Sequence, residues 1–525
     1  MRVAIMLAAA GAGAALLGAP PPAGARTDEA GALAGEVRAW REGHEVEILR
    51  ELRAFLALPN HASDAPAIRA NAEHIVTLLQ ARGATARILE AGESAPAVYG
   101  EIDTPGTDLT VMVYAHYDGQ PVERALWRTD PFDPVLTSAA HEAGGVPLDW
   151  DSLAAPVDPD ARLYARSASD DKSPLVAVLA AIDALEAAGR PLAVDVKFFL
   201  EGEEEAGSPH LAEMLTAHRE LLDADIWLLA DGPVDPRGDP RVMLGVRGVT
   251  RAELTVFGPA RVLHSGHFGN VAPNPGARLA HLIASMRDEN GRILIDGLDG
   301  PAQMSEAALA FLEDGAFDDA AMFAQAGIAR SEWGEDARYG EAIAHPALNV
   351  LALSMGAQDG PATNAIQSEA RATLGFRLTP GLRVDTVREA LAAHVRAQGY
   401  HLVDGEPTPQ DRLVHDRLAR LEFSGFGYAA AHTDPAHPLA ARLIALADAA
   451  SPEPLRVVPL LGGSLPLAPI QDVLGVPFVI VPMVNADNNQ HAPNENLRIG
   501  NLWYGIELYA VILAGLGGED GAPSR

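Results

Sequence analysis

The sequence of 525 residues contains no cysteine. Disulfide bonds and thiolate metal sites are therefore excluded, and so is a cysteine nucleophile. Basic residues are also scarce, with 39 Lys and Arg against 71 Asp and Glu and a formal net charge of -32. Because nucleic acids and anionic membrane surfaces bind basic patches, this balance argues against both as partners. It leaves many carboxylates available for metal ions.

Long apolar runs are lacking beyond the N-terminus. There, Arg2 precedes an apolar run from Val3 to Leu17, and the small residues Ala23-Gly24-Ala25 follow. This order predicts a signal peptide over residues 1–25, because the apolar run is shorter than the roughly 20 residues of a membrane-spanning helix. We therefore expect an exported protein, periplasmic or secreted, with no membrane span after processing.

The length predicts at least two domains. Apolar strands alternate with helical segments on both sides of a middle region, which predicts an α/β domain with a mostly parallel sheet. The middle region has the β-α-β-β-α-β order of a ferredoxin-like unit, with helical insertions between residues 297 and 347. The predicted bounds are 1–25 for the signal peptide, 26–247 and 426–525 for the two parts of the larger domain, and 248–425 for the smaller one.

Five short segments place acidic or histidine residues just after an apolar strand or at the start of a helix. In an open α/β sheet, ligands bind beyond the carboxyl ends of the strands, so these segments could meet at one edge. A catalytic metal ion has about three protein ligands, and two ions that share one carboxylate need about five. The segments are His116-Tyr117-Asp118, Asp170-Asp171, Glu201–Glu205, Asp231, and Asn485–Glu495.

These segments together resemble a known family. The spacing of His116 and Asp118, the Asp170-Asp171-Lys172 triplet and the late His491 are similar to the co-catalytic di-zinc peptidases, the family of carnosine dipeptidase, glutamate carboxypeptidase and acetylornithine deacetylase. The carnosine-dipeptidase branch is the most similar, and the resemblance covers nearly the whole mature chain. It implies an α/β fold in which a mostly parallel-sheet catalytic domain is interrupted by a smaller ferredoxin-like α+β lid and dimerisation domain.

The resemblance also implies roles for the acidic and histidine residues. Two divalent metal ions per chain are expected, with zinc as the first choice and manganese or cobalt as substitutes. Glu204 would act as general base and acid, and Asp118 would orient His116. The implied ligands are His116, Asp170 and Asp231 for one ion, and Asp170, Glu205 and His491 for the other.

The acidic run allows two registers. Gly202 and the Gly207-Ser208 pair flank it as in the family when the functional pair is Glu204-Glu205. A shift by one residue would make Glu203 and Glu204 the pair. The sequence favours the first register.

Four further residues match substrate-binding positions of the family. By resemblance, His264 would stabilise an oxyanion, Asn364 would contact substrate and Arg377 would bind a substrate carboxylate, for which a guanidinium fork is suited. Ser464, in a Gly-Gly-Ser loop, would contact substrate. The chain departs from the family at Ala165-Arg166-Ser167, where Gly-Arg-Gly is usual, and at Ser173, where glycine is usual.

The function expected from the residues and the resemblance is hydrolysis of amide bonds in small peptides, of the dipeptidase or carboxypeptidase type. A water bridging the metals and a glutamate base would carry the reaction. An alternative is a deacylase of N-acyl amino acids with the same metals. A different class is an exported binding protein without catalysis. A serine hydrolase is disfavoured because Ser464 lacks a Gly-x-Ser-x-Gly elbow. A homodimer through the lid domain is expected by resemblance.

Overall fold

The structure is a computed structural model that describes residues 23–313, 317–334, 336–356 and 363–517. Most of the predicted signal peptide, residues 1–22, lies outside the described residues. Within those ranges, no helix combines the length and the apolar character that crossing a membrane requires.

The larger unit is built on an eight-stranded sheet. Its four central strands pair in parallel, and antiparallel pairs lie towards both edges, so the sheet is mixed with a parallel centre. In order across the sheet, the strands are Thr85–Leu89, Ala97–Ile102, Asp195–Glu201, Thr110–His116, Ile226–Leu229, Phe478–Ile480, Arg241–Met243 and Arg456–Val458.

Helices cover both faces of this sheet. Along the central strand, Val111 and Val113 pack into one apolar cluster, while Met112 and Tyr114 pack into another on the opposite face. This alternation follows from the two-residue period of a strand, and it confirms the predicted α/β class. The helices of this unit are Ala23–Leu56, Ala65–Gln80, Lys172–Ala187, Leu211–Ala217, Pro438–Ala450 and Ile499–Gly515, with a π-helix at Ile470–Leu474.

The smaller unit is a five-stranded sheet with two helices, Pro275–Ala284 and Val384–Ala397, packed on one face. Numbering its four long strands along the chain, their order across the sheet is 2-3-1-4, which is the ferredoxin-like arrangement predicted from the sequence. In spatial order the strands are Ala347–Ser354, Glu369–Leu378, Gly248–Phe257, Leu418–Tyr428 and the short His401–Leu402.

The predicted lid boundary at residue 425 falls inside the last long strand of this sheet, Leu418–Tyr428. The sequence-based limits of the two domains, 26–247 with 426–525 and 248–425, stay predictions. Between the first two long strands lie helices, as the sequence indicated for residues 297–347. These helices are Glu306–Glu313, Asp319–Ala326 and Tyr339–Ile343.

Short elements complete the fold. A three-stranded sheet joins Asn496–Arg498, Arg162–Tyr164 and Val135–Thr137, and two-residue strands pair Leu263–His264 with Ala365–Ile366 and Gly245–Val246 with Ala431–His432. The other short helices are Ser265–Phe268 and Pro409–Val414, with 3-10 turns at Arg124–Leu126, His141–Ala143 and Glu204–Ala206.

The sheet brings three chain segments to one edge. His116 is the last residue of its strand, and the parallel strand beside it ends at Glu201. The strand on the other side ends at Leu229, two residues before Asp231. Because parallel strands point the same way, the residues that follow them share the carboxyl edge.

Candidate metal centre

His116 is held between two carboxylates at the end of its strand. Its Nε2 lies 3.0 Å from Asp170 Oδ1, and its Nδ1 faces Asp118 Oδ1 at 3.4 Å. Burial alone would lower the pKa of this imidazole, but the two carboxylates raise it well above its usual value. The ring is therefore oriented by one acid and directed at the other, as expected for a histidine that binds a metal ion.

Asp118 is fully buried and serves a second purpose. Its Oδ1 accepts the backbone N–H of Glu204 at 3.1 Å, and its Oδ2 accepts that of Glu205 at 3.0 Å. One carboxylate thus fixes the histidine and the turn that carries the acidic pair.

Asp170 lies between the two histidines. Its Oδ1 contacts His116, and its Oδ2 lies 2.9 Å from His491 Nε2. Burial would raise the pKa of Asp170, but the hydrogen bonds from the two histidines hold it below its usual value. This carboxylate therefore stays ionised, as a group shared by two cations would need to be.

Glu205 and His491 form the outer side of the cluster. His491 Nε2 lies 3.1 Å from Glu205 Oε2, which also accepts Gln120 Nε2 at 2.9 Å. Hydrogen bonds from Asp170 and Glu205 raise the pKa of His491 to about 10. His491 has a left-handed backbone, with φ of 61°, and its side chain is half exposed. It therefore lies at the open rim of the site.

The ligand atoms form two groups that share one residue. Within each group of three, a ligand atom from every side chain lies within 4.8 Å of the others, a spacing that a single metal ion can span. The two groups have Asp170 in common. They are His116, Asp170 and Asp231, and Asp170, Glu205 and His491.

Glu204 lies beside the first group, with its Oε2 4.0 Å from His116 Nε2. Burial raises the pKa of Glu204 well above its usual value, and the charges of Asp231 and Glu205 add to this. Burial also raises the pKa of Asp231 to about 6. Crowded carboxylates of this kind are stabilised when a cation lies between them.

The structure distinguishes between the two registers of the acidic run. Glu203 points away from the cluster, where its carboxylate accepts the backbone N–H groups of Ala95 and His210, both at 3.1 Å. Glu205 instead faces His491. Gly207 ends the turn with φ of 89°, a left-handed conformation that glycine adopts readily. The geometry thus brings Glu204 and Glu205 to the site.

Glu495, for which the sequence predicts no role, is fully buried behind the cluster. Its carboxylate accepts backbone N–H groups of Ser167, Ser169 and Asp170 at 2.9 to 3.0 Å, and it pairs with Arg166 at 2.6 Å. It thereby holds the loop that carries the shared ligand. Its place four residues after His491 was the only sequence signal.

Ser167 occupies a position where the family usually has glycine. Its φ is 61°, so this serine adopts the left-handed conformation that glycine favours. Its N–H donates to Glu495, and its hydroxyl accepts Asn60 Nδ2 at 2.8 Å. These bonds hold the Ser167 backbone in the left-handed conformation that a glycine would adopt at this position.

Two of the predicted substrate residues meet between the sheets. Arg377 Nη1 donates to Ser464 Oγ at 2.6 Å, so the lid contacts the Gly-Gly-Ser loop. Burial raises the pKa of Tyr428 to about 12, and this phenol experiences the charges of both Glu204 and Arg377. The Arg377–Ser464 bond therefore joins the lid sheet to the larger unit.

The other two predicted substrate residues lie elsewhere. His264 and Asn364 are exposed at the small paired strands of the lid, where the Asn364 carbonyl accepts the N–H of Ser265 at 2.9 Å. His264 Nδ1 accepts the N–H of Gly266. Across the described part of the chain, no hydrogen bond or ion pair joins either side chain to the metal cluster. Their roles stay predictions.

The chain is similar to a known protein family. The model of the family described as "Peptidase family M20/M25/M40" matches residues 112–514, which is more than half of the chain and includes all five proposed ligands.

Two characterised relatives are dipeptidases. The chain is 25% identical to the Cys-Gly metallodipeptidase of Saccharomyces cerevisiae over 427 residues, which cover 80% of this chain and 81% of that protein. It is 26% identical to the Beta-Ala-His dipeptidase of Homo sapiens over 434 residues, covering 79% of this chain and 76% of that protein. A solved M20 family metallo-carboxypeptidase of Sulfolobus solfataricus superposes with a TM-score of 0.70 at 27% identity, covering 90% of this chain and 99% of that one.

Proposed function

Because this chain belongs to peptidase family M20/M25/M40, we propose that it is a metal-dependent hydrolase that cleaves amide bonds of small peptides at the cluster around Asp170. The observation that carries the proposal is one ionised carboxylate between two histidines, with Glu204 beside it. The relatives named as metallodipeptidases support small peptides as substrates.

The residues present fit two divalent metal ions. Imidazole and carboxylate together suit zinc, and manganese or cobalt accept the same donors. Glu205 Oε1 is buried without a hydrogen-bond partner, so it is free to bind a cation. Burial and the neighbouring carboxylates raise the pKa of Asp231 and Glu204, and a divalent ion at each group would offset both effects.

When bound, such ions polarise the scissile carbonyl and lower the pKa of the attacking water. Glu204 accepts the proton of that water and delivers it to the leaving amide nitrogen. Its raised pKa suits this exchange, because a base must also be able to act as an acid near neutral pH. Asp118 keeps Glu204 in reach through the backbone N–H that it accepts.

Arg377 and Ser464 bind the substrate in this proposal. Arg377 lies on a strand of the lid sheet and Ser464 on a loop of the larger unit, and the two are hydrogen-bonded, so a substrate carboxylate at Arg377 would also approach Ser464. This binding positions the peptide relative to the metal cluster and so contributes to catalysis through orientation.

The test is metal content combined with a hydrolysis panel. About two metal ions per chain and turnover of dipeptides would support the proposal. Stoichiometric metal with turnover of N-acyl amino acids alone would make the chain a deacylase. A protein that binds no metal and hydrolyses none of the substrates would contradict the enzyme assignment. It would then be a binding protein with this fold.

We also propose a homodimer through the lid sheet. Its edge strand, Ala347–Ser354, exposes Leu351 and Leu353, and Met355 follows directly after it. An exposed apolar edge strand is ready to pair with a second copy. In such a dimer, the exposed His264 of one chain could serve the site of the other. Molecular mass in solution tests the assembly.

Export through a signal peptide over residues 1–25 remains a proposal that rests on the sequence. N-terminal sequencing of protein recovered outside the cytoplasm tests it. A new N-terminus directly after Ala25 is the expected result, and an intact Met1 on the recovered protein would contradict cleavage.

A further inference from the structure

The turn between the first two helices of the larger unit carries a buried asparagine, Asn60, which is 1% exposed. Its Nδ2 donates to the carbonyl of Tyr117 and to the hydroxyl of Ser167, both at 2.8 Å. Its own carbonyl accepts the N–H of Gly119 at 2.9 Å. Asn60 therefore bonds to two loops that are distant from it, and from each other, in the sequence.

Both loops carry proposed ligands. Tyr117 directly follows His116, and Ser167 lies three residues before the shared ligand Asp170. The side chains of these two ligands approach to 3.0 Å, between His116 Nε2 and Asp170 Oδ1. The amide of Asn60 thus spans the same two loops from behind, through the backbone of one and a hydroxyl of the other.

The turn that carries Asn60 is itself held in place. Lys172 begins the helix that follows the second loop, and its buried Nζ donates to the carbonyls of Phe55 and Leu58, both at 2.9 Å. Functional groups keep their geometry best when the residues that support them are fixed by further bonds. Asn60 is such a support, because its own backbone is anchored.

The contact between the loops also depends on Gly119. A Cβ atom at that position would lie 2.6 Å from Ser167 Oγ and 3.0 Å from Asn60 Nδ2, so the serine would have to move. Glycine is needed here for space, and the hydroxyl of Ser167 occupies that space. The serine stands where the family usually has glycine, so its hydroxyl and the absent side chain at residue 119 fit each other.

We infer that Asn60 is a positioning residue of the metal centre, which together with Gly119 and Ser167 sets the distance between the loops of His116 and Asp170. The inference rests on the proposed function and adds to it three residues that are not proposed ligands. Asn60 Oδ1 is buried without a hydrogen-bond partner, so the two bonds from Nδ2 fix the orientation of the amide. A neutral amide holds both loops without adding charge to the crowded carboxylates.

Zinc affinity of the full-length protein, measured by competition with a zinc-binding dye, tests the role of the amide. Asn60→Ala should weaken zinc binding by about tenfold to hundredfold, because it removes both side-chain bonds between the loops. Asn501→Ala is the matched control. Asn501 is another buried asparagine whose Nδ2 donates to a carbonyl, that of Met483 at 2.8 Å, and in the described part of the chain it bonds to neither loop. Its variant should keep the zinc affinity of the wild type.

A pair of substitutions separates positioning from a general loss of stability. Gly119→Ala should displace Ser167 and weaken zinc binding by about tenfold or more, and adding Ser167→Gly should restore most of the affinity by removing the clashing hydroxyl. Restoration by a change that itself deletes a hydrogen bond is not expected of a merely destabilised protein. Gly100→Ala is the control, because its Cβ would lie 2.9 Å from Leu79 on a helix that carries no residue of the cluster.

Two results would overturn the inference: an Asn60→Ala protein that binds zinc as tightly as the wild type, or a loss in Gly119→Ala that Ser167→Gly does not relieve. Thermal melting checks folding, and the Gly119→Ala pair decides if Asn60→Ala does not fold. A wild-type protein that binds no zinc would overturn the inference together with the proposed function. Zinc binding without hydrolysis of any peptide would contradict the proposed function alone, because the affinities still decide the role of Asn60.

Discussion

Asp118 and Glu495 organise the candidate metal centre without being among its proposed ligands. Asp118 faces His116 and accepts the N–H groups of Glu204 and Glu205, and Glu495 accepts three N–H groups of the loop that leads to Asp170. Each buried carboxylate accepts two or more backbone N–H groups and so holds those backbone segments in fixed positions relative to one another. Supporting residues of this kind raise metal affinity because the ligands are oriented before the metal binds.

Glu204→Gln should reduce kcat by roughly a hundredfold or more while metal content stays unchanged, because the variant loses the proton acceptor but no ligand. Steady-state kinetics with metal analysis measures both. Glu203→Gln is the matched control from the same acidic run. It should keep kcat, because Glu203 contacts Ala95 and His210 instead of the cluster. Equal losses in both variants would contradict the assigned register.

Glu495→Gln should weaken metal binding by about tenfold to hundredfold, although Glu495 is not a proposed ligand. The amide nitrogen cannot accept the N–H groups that the carboxylate accepts now, so the loop of Asp170 loosens. Competition with a metal-binding dye measures the affinity. Glu507→Gln replaces another buried acid, one that pairs with Arg38 and Arg41 of the N-terminal helix and with no residue of the cluster in the described part of the chain. Unchanged metal affinity is expected for it, and a loss as large as that of Glu495→Gln would point to general destabilisation.

The candidate acidic and histidine segments could be found in the sequence because such residues are unusual directly after apolar strands, whereas the assignment of individual ligands came from the resemblance. Glu495 was missed because its partners are mostly backbone N–H groups, which leave no mark in the sequence. Asn60 was missed for a related reason. Its role depends on which loops surround it in three dimensions, and a lone asparagine in a sequence carries no such information.

At the scale of elements, the helices and long strands followed from their periodicity. The sequence predicts a strand from Asp108 to Ala115 and a helix from Ser173 to Ala188. The structure has Thr110–His116 and Lys172–Ala187, within two residues of both. The edge strand Ala347–Ser354 was not identified individually, because its outer residues are apolar and it lacks the alternation of a half-buried strand. Pairing across the sheets depends on contacts distant in sequence and was available only through the resemblance.

Leu353→Lys should weaken the proposed dimer by about tenfold or more, because the leucine is 58% exposed on the edge strand and a charge there opposes pairing. Analytical ultracentrifugation over a concentration series measures the dissociation. Leu413→Lys is the control, since Leu413 is 83% exposed on the helix Pro409–Val414 and not on the edge strand. A wild-type protein that is monomeric at every concentration would contradict the lid interface.

At the scale of the whole molecule, the crowded carboxylates link stability to metal and to pH. Folding raises the pKa of Asp231 from 3.8 to about 6 in the absence of metal. A carboxyl whose pKa is raised by folding stabilises the folded protein below its ordinary pKa and loses that contribution as the pH rises through the folded value. The metal-free protein should therefore lose stability between about pH 4 and pH 6.

Removal of metal by a chelator should lower the melting temperature more at about pH 7.5 than at about pH 5. At the higher pH the ligands are ionised, repel one another without metal and bind metal without competition from protons. Scanning calorimetry with and without chelator measures the difference. Comparing the two forms at each pH cancels the effect of buried acids outside the cluster. An equal difference at both values would contradict the link.

The two chain crossings between the sheets lie side by side. Arg247 directly precedes the lid strand that begins at Gly248, and the returning chain pairs Ala431 with Val246. The lid is thus connected to the larger unit by two adjacent chain segments, a narrow neck that lies next to the Ser464 loop. Any rotation of the lid about this neck must change the distance between Arg377 and Ser464. In the proposed function, a peptide held by both Arg377 and Ser464 would therefore tie the lid to the larger unit.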